Sequence, residues 1–340
     1  MLSKAELDRI DSKRMYATYD DWPFIARQAY ESDGLETQEY DREIKHIIFA
    51  GMGGSGAIGD LFSAVLSKTG THVTVTKGYE LPKTADADSL VVTTSVSGDT
   101  AETLAVLDAA RQSDCNVLAF SSGGMMEEFC SKNGLAHVRI AQTHSPRASF
   151  AGFTFSMLKV LGDILPLGHG DVAEAIARLE ETVTRISSAN LDGSDNTALR
   201  IAERLGHMPV IYYPFGLQAA AIRLKNGLQE NAKTHAIVED VVETCHNGIV
   251  AWERPSPAVS PVIITGSDDH PKTKERWGII REYFASRDIE YAELPSGNGG
   301  ILAKLMGLIY SADYISIYRA IITGVDPSPI DSIRFIKDRI

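Results

Sequence analysis

Four glycines and a serine fall within Gly51-Met52-Gly53-Gly54-Ser55-Gly56, a composition suited to binding an anion. Glycines let the backbone approach a ligand in conformations that a side chain forbids, and the N–H groups that open a following helix point at the ligand. Ser55 adds a hydroxyl donor. An apolar strand candidate, His46–Ala50, runs into the loop, and a helical pattern leaves it near Ala57. The stretch also matches Gly-x-Gly-x-x-Gly at Gly51, Gly53 and Gly56, a dinucleotide pattern that is weak by itself. A dinucleotide site wants an acidic residue at the end of the second strand. Here that strand candidate, His72–Thr76, ends in Lys77 and Gly78, and Glu80 follows only after the turn. A purely structural tight turn is the other alternative. A single phosphate group on a small metabolite fits the residues best.

A second polar loop, Thr94-Ser95-Val96-Ser97-Gly98-Asp99-Thr100, follows the third strand candidate, Ser89–Thr94. Its hydroxyls, Ser95, Ser97 and Thr100, cluster where a helix begins and are available to the same anion. Capping is the alternative, because short polar side chains before a helix satisfy its orphan N–H groups. With Asp99 as the cap, Glu102 takes the third helical position, the spacing of a capping box. Two such loops at neighbouring strand ends favour binding.

These loops need a parallel sheet to hold them. From His46 to Ile140 short apolar strands (also Asn116–Ser121 and Ala136–Ile140) alternate with helical patterns at Ala57–Ser67, Thr100–Gln112 and Met125–Lys132. Such alternation implies an α/β fold with a parallel sheet covered on both faces, and ligands bind such sheets beyond the carboxyl ends of the strands. The alternation returns after about Asn190, with strand candidates Pro209–Tyr213, Val262–Thr265 and Glu290–Glu293. Between them lie a helix whose stripe is Leu217, Ala221, Leu224 and Leu228, and another over about Pro271–Ser286. The expected division is a charged, partly helical extension over residues 1–45, a phosphate-binding subdomain over 46–168 and a second subdomain over 169–340. In the extension, Trp22, Phe24, Ile25 and Tyr30 are available to dock on the body.

The chain has 340 residues, 44% of them hydrophobic, which suffices for two domains with real cores. A formal net charge of -12 argues against nucleic-acid or anionic-membrane partners. The three cysteines, Cys115, Cys130 and Cys245, are scattered, so neither a disulfide framework nor a zinc knot is expected, and the cytoplasm is the natural compartment. No apolar run is expected to reach the 18 or so residues of a membrane span. His-Glu-x-x-His and paired carboxylate–histidine spacings are absent, so no metal and no cofactor is expected.

The two loops, in this order, resemble a sugar isomerase (SIS) domain, a fold that binds phosphosugars. Further motifs extend the resemblance. They are Ser145-Pro146-Arg147-Ala148, the stretch from Arg223 to Glu230-Asn231-Ala232-Lys233, Cys245-His246-Asn247, and Gly324-Val325-Asp326-Pro327-Ser328-Pro329 leading to Lys337. Together they resemble the bifunctional phosphoglucose/phosphomannose isomerase family over roughly residues 46–337. The resemblance implies two SIS-like subdomains and a homodimer acting on a hexose 6-phosphate through a cis-enediolate, without a metal. Gly54, Ser55, Ser95, Ser97 and Thr100 would hold the phosphate. Glu230 would carry the proton between C1 and C2, and Arg147 would steady the enediolate charge. His246, supplied by the neighbouring subunit, would open the ring with help from Lys337. His235 is the competing histidine. Val96 stands where the family usually has tyrosine and Asp99 where it has asparagine. If Asp99 faced the phosphate it would repel it, so it is expected to turn away or cap the helix.

Overall fold

The computed structural model describes residues 2–37, 40, 42–193 and 195–339, and the chain forms two compact units. One comprises Asp21–Ile176; the other joins Met1–Asp20 to Ala177–Ile340. In chain order, α1 (Lys4–Ile10) and α2 (Met15–Asp20) belong to the latter, hereafter the second unit. The first unit opens with α3 (Trp22–Glu31) and continues through β1 (His46–Ala50), α4 (Gly53–Leu66), β2 (His72–Thr76) and β3 (Ser89–Ser95). It is completed by α5 (Ala101–Arg111), β4 (Asn116–Ser121), α6 (Gly124–Asn133), β5 (Ala136–Arg139) and α7 (Phe150–Val160). Helix α8 (His169–Ile186) carries the chain across the boundary.

All five strands of the first unit are parallel, in the order β2-β1-β3-β4-β5. Strands β1 and β3 are buried at every position because helices cover both faces. The chain leaves β1 for β2 on one side and then crosses to β3 on the other. The loops after β1 and β3 therefore diverge at the carboxyl edge and leave a crevice, the usual ligand position in such sheets.

The second unit continues with α9 (Thr197–Arg204), β6 (Met208–Tyr213), α10 (Gln218–Glu230), β7 (Ile237–Asp240) and α11 (Val241–Thr244). A 3-10 turn at Gly248–Glu253 precedes β8 (Val259–Thr265), α12 (Pro271–Ser286), β9 (Ala292–Pro295), α13 (Ile301–Ile322) and α14 (Asp331–Lys337). Its four strands are also parallel, in the order β7-β6-β8-β9, and reverse direction of progress between β6 and β8. Two SIS-like sheets flanked by helices are thus present.

The N-terminal segment does not form the separate extension expected over 1–45. Leu7, Met15, Tyr16 and Tyr19 of α1 and α2 are fully buried in the second unit, where both helices pack on α13 and Tyr314 of α13 hydrogen-bonds Asp20. Helix α3 instead packs on α7 in the first unit. Trp22 is buried there as expected, whereas Phe24 is 61% exposed. The boundary expected at 168 moves into α8, since Tyr30 bonds His169 Nδ1 at 2.7 Å and keeps the first turns of that helix with α3. The expectation about apolar length also needs correction. Among the described residues, α13 has the length and composition to cross a membrane, with a mean hydropathy of 1.2 over its apolar window. That window is 94% buried, as befits the core helix of the second unit.

Candidate active site

The two candidate phosphate loops touch where they leave their strands, at Gly51 and Thr94, before they diverge. Helix α4 starts at Gly53, and its first intrahelical bonds run from the Ser55 and Gly56 N–H groups to the Met52 carbonyl, at 3.0 and 3.1 Å. The Gly53 and Gly54 N–H groups precede that ladder and are the orphan donors of a helix start. Gly53 takes φ +52, and a Cβ on Gly51 would lie 2.9 Å from the Thr94 carbonyl oxygen, so the two loops touch only because side chains are missing.

Three of the four hydroxyls accept from backbone N–H groups. Ser55 Oγ accepts from Val96 N–H at 3.2 Å and ties the first loop to the second. Ser95 Oγ accepts from Gly98 N–H at 3.1 Å and shares a bond with Thr100 Oγ1 at 2.9 Å. Ser97 Oγ accepts from Asp99 N–H at 3.3 Å. A hydroxyl that accepts one such bond keeps its O–H as a donor, the polarity an anion needs, while one hydrogen of the Ser95–Thr100 pair is spent between the two. Val96, where tyrosine is the expected family residue, is buried in the loop just past β3.

The expected capping box at Asp99 does not form. Thr100 is the N-cap of α5 and makes no side-chain cap bond, because its hydroxyl is turned to Ser95. The Asp99 carboxylate instead accepts from Met125 N–H in the first turn of α6, at 2.9 Å. A helix start is a favourable place for a carboxylate. Gly98, at φ +80, permits this: a Cβ there would lie 1.8 Å from the Gly123 carbonyl oxygen.

Arg147 comes to the same cradle. A Cβ on Gly54 would meet the Arg147 Cα and the Pro146 carbonyl oxygen at 3.1 Å each, so the 146–147 backbone lies directly on the glycine loop. The Arg147 side chain is buried. Its loop is locked from below. Ser149 Oγ accepts from Thr143 N–H at 2.9 Å, and Trp22 Nε1 donates to the Ala148 carbonyl at 3.1 Å while its ring stacks on Phe150. Lys77, whose position had argued against a dinucleotide, also borders the loop. Its Cε would lie 3.2 Å from a Cβ on Gly56, and its ammonium pairs with Asp60 of α4 at 2.6 Å. The signal for it was its place at the end of the strand next to β1.

Glu230, Lys337 and His246 belong to the second unit. Glu230 is the last residue of α10, a helix fixed to α13 by a buried bidentate pair, Arg223 with Asp313, at 2.8 and 2.7 Å. Burial pulls the Arg223 pKa down, and the Asp313 carboxylate more than reverses it, so the guanidinium stays charged. Asn231 Nδ2 donates to Ser316 Oγ at 2.8 Å, and Gly227 allows the close approach. Glu230 borders a cavity of about 520 Å³ with Lys233, His235, Pro329, Asp331 and Ser332. His246 and Lys337 are not among its lining residues. His246 is exposed after α11, with its N–H on the Glu243 carbonyl at 2.9 Å, and Lys337 is exposed at the end of α14. His235 is thus the histidine brought beside Glu230 within one chain.

The described residues contain no group of three or more His, Cys, Asp or Glu side chains arranged to hold a metal ion.

Comparison with known proteins agrees with this layout. Residues 42–142 match the SIS domain model, and residues 194–340 match the bacterial phospho-glucose isomerase C-terminal SIS domain model. The chain is 28% identical to the bifunctional phosphoglucose/phosphomannose isomerase of Caldicellulosiruptor bescii over 96% of this chain and 98% of that one. It is 30% identical to the protein of the same name from Aquifex aeolicus, over 87% and 90%. Among solved structures, the C-terminal domain of glucosamine-fructose-6-phosphate aminotransferase from Francisella tularensis shares the fold, with a TM-score of 0.67 at 17% identity over 96% of this chain and 99% of that one. The chain therefore belongs to the bifunctional phosphoglucose/phosphomannose isomerase family and is an enzyme of the isomerase class.

Proposed function

We propose that the protein interconverts glucose 6-phosphate and mannose 6-phosphate with fructose 6-phosphate through a cis-enediolate, without a metal or cofactor, as a cytoplasmic homodimer. The observation that carries this reading is the hydroxyl cluster of Ser55, Ser95, Ser97 and Thr100 at the β1/β3 crevice, against which the Arg147 backbone lies. The phosphate takes O–H donors and the Gly53 and Gly54 N–H groups at a helix start, where the dipole favours negative charge. Arg147 supplies a permanent cation for the enediolate oxygens that develop charge during reaction. Glu230 removes the C2 or C1 proton and returns it one carbon away, which a single carboxylate near both carbons can do. His246 of a neighbouring subunit acts on the ring oxygen, with Lys337 bonding the sugar during opening. Its exposure in the single chain fits that assignment.

The test is an NMR assay with fructose 6-phosphate in the presence of EDTA, following glucose 6-phosphate and mannose 6-phosphate together. Both products are expected, and binding without any product would overturn the reading. Glu230→Gln should lower kcat by about 10²- to 10⁴-fold, the usual contribution of a general base, with sugar-phosphate binding retained. Full activity would place the base elsewhere. Mixing inactive Glu230→Gln and His246→Ala chains should restore activity, because a mixed dimer regains one intact site. No recovery would remove the shared-site arrangement.

A further inference from the structure

Helix α10 ends at Glu230. Three residues past Glu230 the chain turns at Lys233 with φ +53, a left-handed conformation in which glycine is the ordinary occupant and side chains are disfavoured. Thr234 N–H then reaches back to the Leu228 carbonyl at 3.0 Å. If position 233 served only to end the helix, lysine would be a poor choice.

Its side chain explains the choice. The Lys233 ammonium donates to three main-chain carbonyls: Glu230 at 2.6 Å, Pro329 at 2.9 Å and Pro327 at 3.3 Å. An ammonium has three N–H donors and no acceptor, so main-chain carbonyls are partners that suit it. The first acceptor belongs to the terminal turn of α10, where a cation complements the negative end of the dipole. The other two belong to the loop that leads into α14. Glu230, Lys233 and Pro329 line the same cavity, so one side chain sets the distance between the carboxylate and the opposite wall.

We infer that Lys233 is a positioning residue for the reaction. It fastens the backbone of Glu230 to the 327–329 loop so that the carboxylate is held at a fixed place in the cavity. The inference rests on the reading of Glu230 as the base. It predicts a penalty on kcat rather than on KM, since the phosphate donors belong to the other unit. A loosened catalytic group misplaced by about 1 Å costs up to ~10²-fold in rate.

The experiment uses full-length Lys233→Gly, Lys233→Arg and Glu230→Gln, assayed with fructose 6-phosphate and melted in parallel. Glycine relieves the backbone, so Lys233→Gly should keep or raise the Tm while kcat falls about 10- to 100-fold at little-changed KM. Lys233→Arg should recover part of the rate, and ethylammonium chloride should partly rescue Lys233→Gly. Unchanged kcat in Lys233→Gly would overturn the proposal. So would parallel loss of Tm and kcat with no recovery by arginine or amine, which is the signature of a merely structural role. Glu230→Gln separates the two readings: if it stays fully active while Lys233→Gly is impaired, the base assignment has failed and Lys233 acts on something else.

Discussion

Where β1 ends, the first unit has Gly51 to Gly56; where β6 ends, at the corresponding crossover of its own sheet, the second has Pro214, Phe215 and Gly216. Both sheets change direction of strand order at that point, so both offer a crevice. The donors differ. In the first unit the Gly53 and Gly54 N–H groups open a helix outside its hydrogen-bond ladder, and the hydroxyls of Ser55, Ser95, Ser97 and Thr100 belong to the same pair of loops. In the second, proline has no N–H, the Gly216 N–H is taken by Gln218 Oε1 at 3.0 Å, and Phe215 is 63% exposed. A shared topology therefore fixes where a ligand would go, and the loop chemistry decides whether an anion is taken. The second unit's candidate carboxylate sits elsewhere, at the far end of the 13-residue α10, about 20 Å along the helix from its start. The glycine loop of the first unit lies at the positive end of a helix and Glu230 of the second at a negative end, where the Lys233 ammonium supplies the matching charge.

If the units divide labour in this way, damage to each should read out separately. The largest effect is expected in the second. Asp313→Ala leaves the Arg223 guanidinium buried without its carboxylate, and such removals cost about 3–5 kcal/mol. Urea unfolding should show that loss. Binding of inorganic phosphate under native conditions, an assay of the first unit, should change little; a loss of phosphate binding as large as the loss of stability would break the division. The next effect belongs to the first unit. Ser55→Ala removes a donor to a charged ligand, worth about 1.5–3 kcal/mol, or roughly 10- to 100-fold in affinity. Titration calorimetry with fructose 6-phosphate measures it, and unchanged affinity would dismiss the glycine loop as the phosphate site.

Much of this was legible in the chain because local patterns and global fold agree. The strands over 46–50, 72–76 and 116–121 are found at the expected residues, and α12 spans 271–286 as expected because Pro271 marks a helix start. The buried stripe Leu217, Ala221, Leu224 and Leu228 also lies as the period requires. What sequence hid was non-local. The Asp99 carboxylate bonds a residue 26 positions away, so a local capping rule pointed to the wrong helix. Strand β7, Ile237-Val238-Glu239-Asp240, is short, half polar and on a sheet edge, with too little alternation to be noticed. Lys233 lies inside the Arg223–Lys233 motif, but two of its carbonyl partners lie 94 and 96 residues on. The split of residues 1–45 followed from burial of α1 and α2 against α13, which no spacing within the segment reveals.

The smallest expected effect sharpens the comparison through acid. The first unit holds two histidines with lowered pKa values. At His46 burial is the main cause and the charge of neighbouring His72 the next, while Asp86 and the Thr84 backbone oppose them. The His46 ring stacks on His72 at 4.2 Å between centroids and bonds Thr74 Oγ1 at 2.9 Å. Because the folded pKa lies below the ordinary 6.5, the unfolded chain binds more protons in the interval between the two. Stability from this site is complete above pH 6.5 or so and is lost as the pH falls through the folded value. Thermal melts from neutral pH to about pH 5 should therefore show a falling Tm, and His46→Val should flatten part of that slope. A slope identical in the variant would mean that the acid sensitivity arises elsewhere, with His137, whose pKa is lowered mainly by burial, the next group to replace.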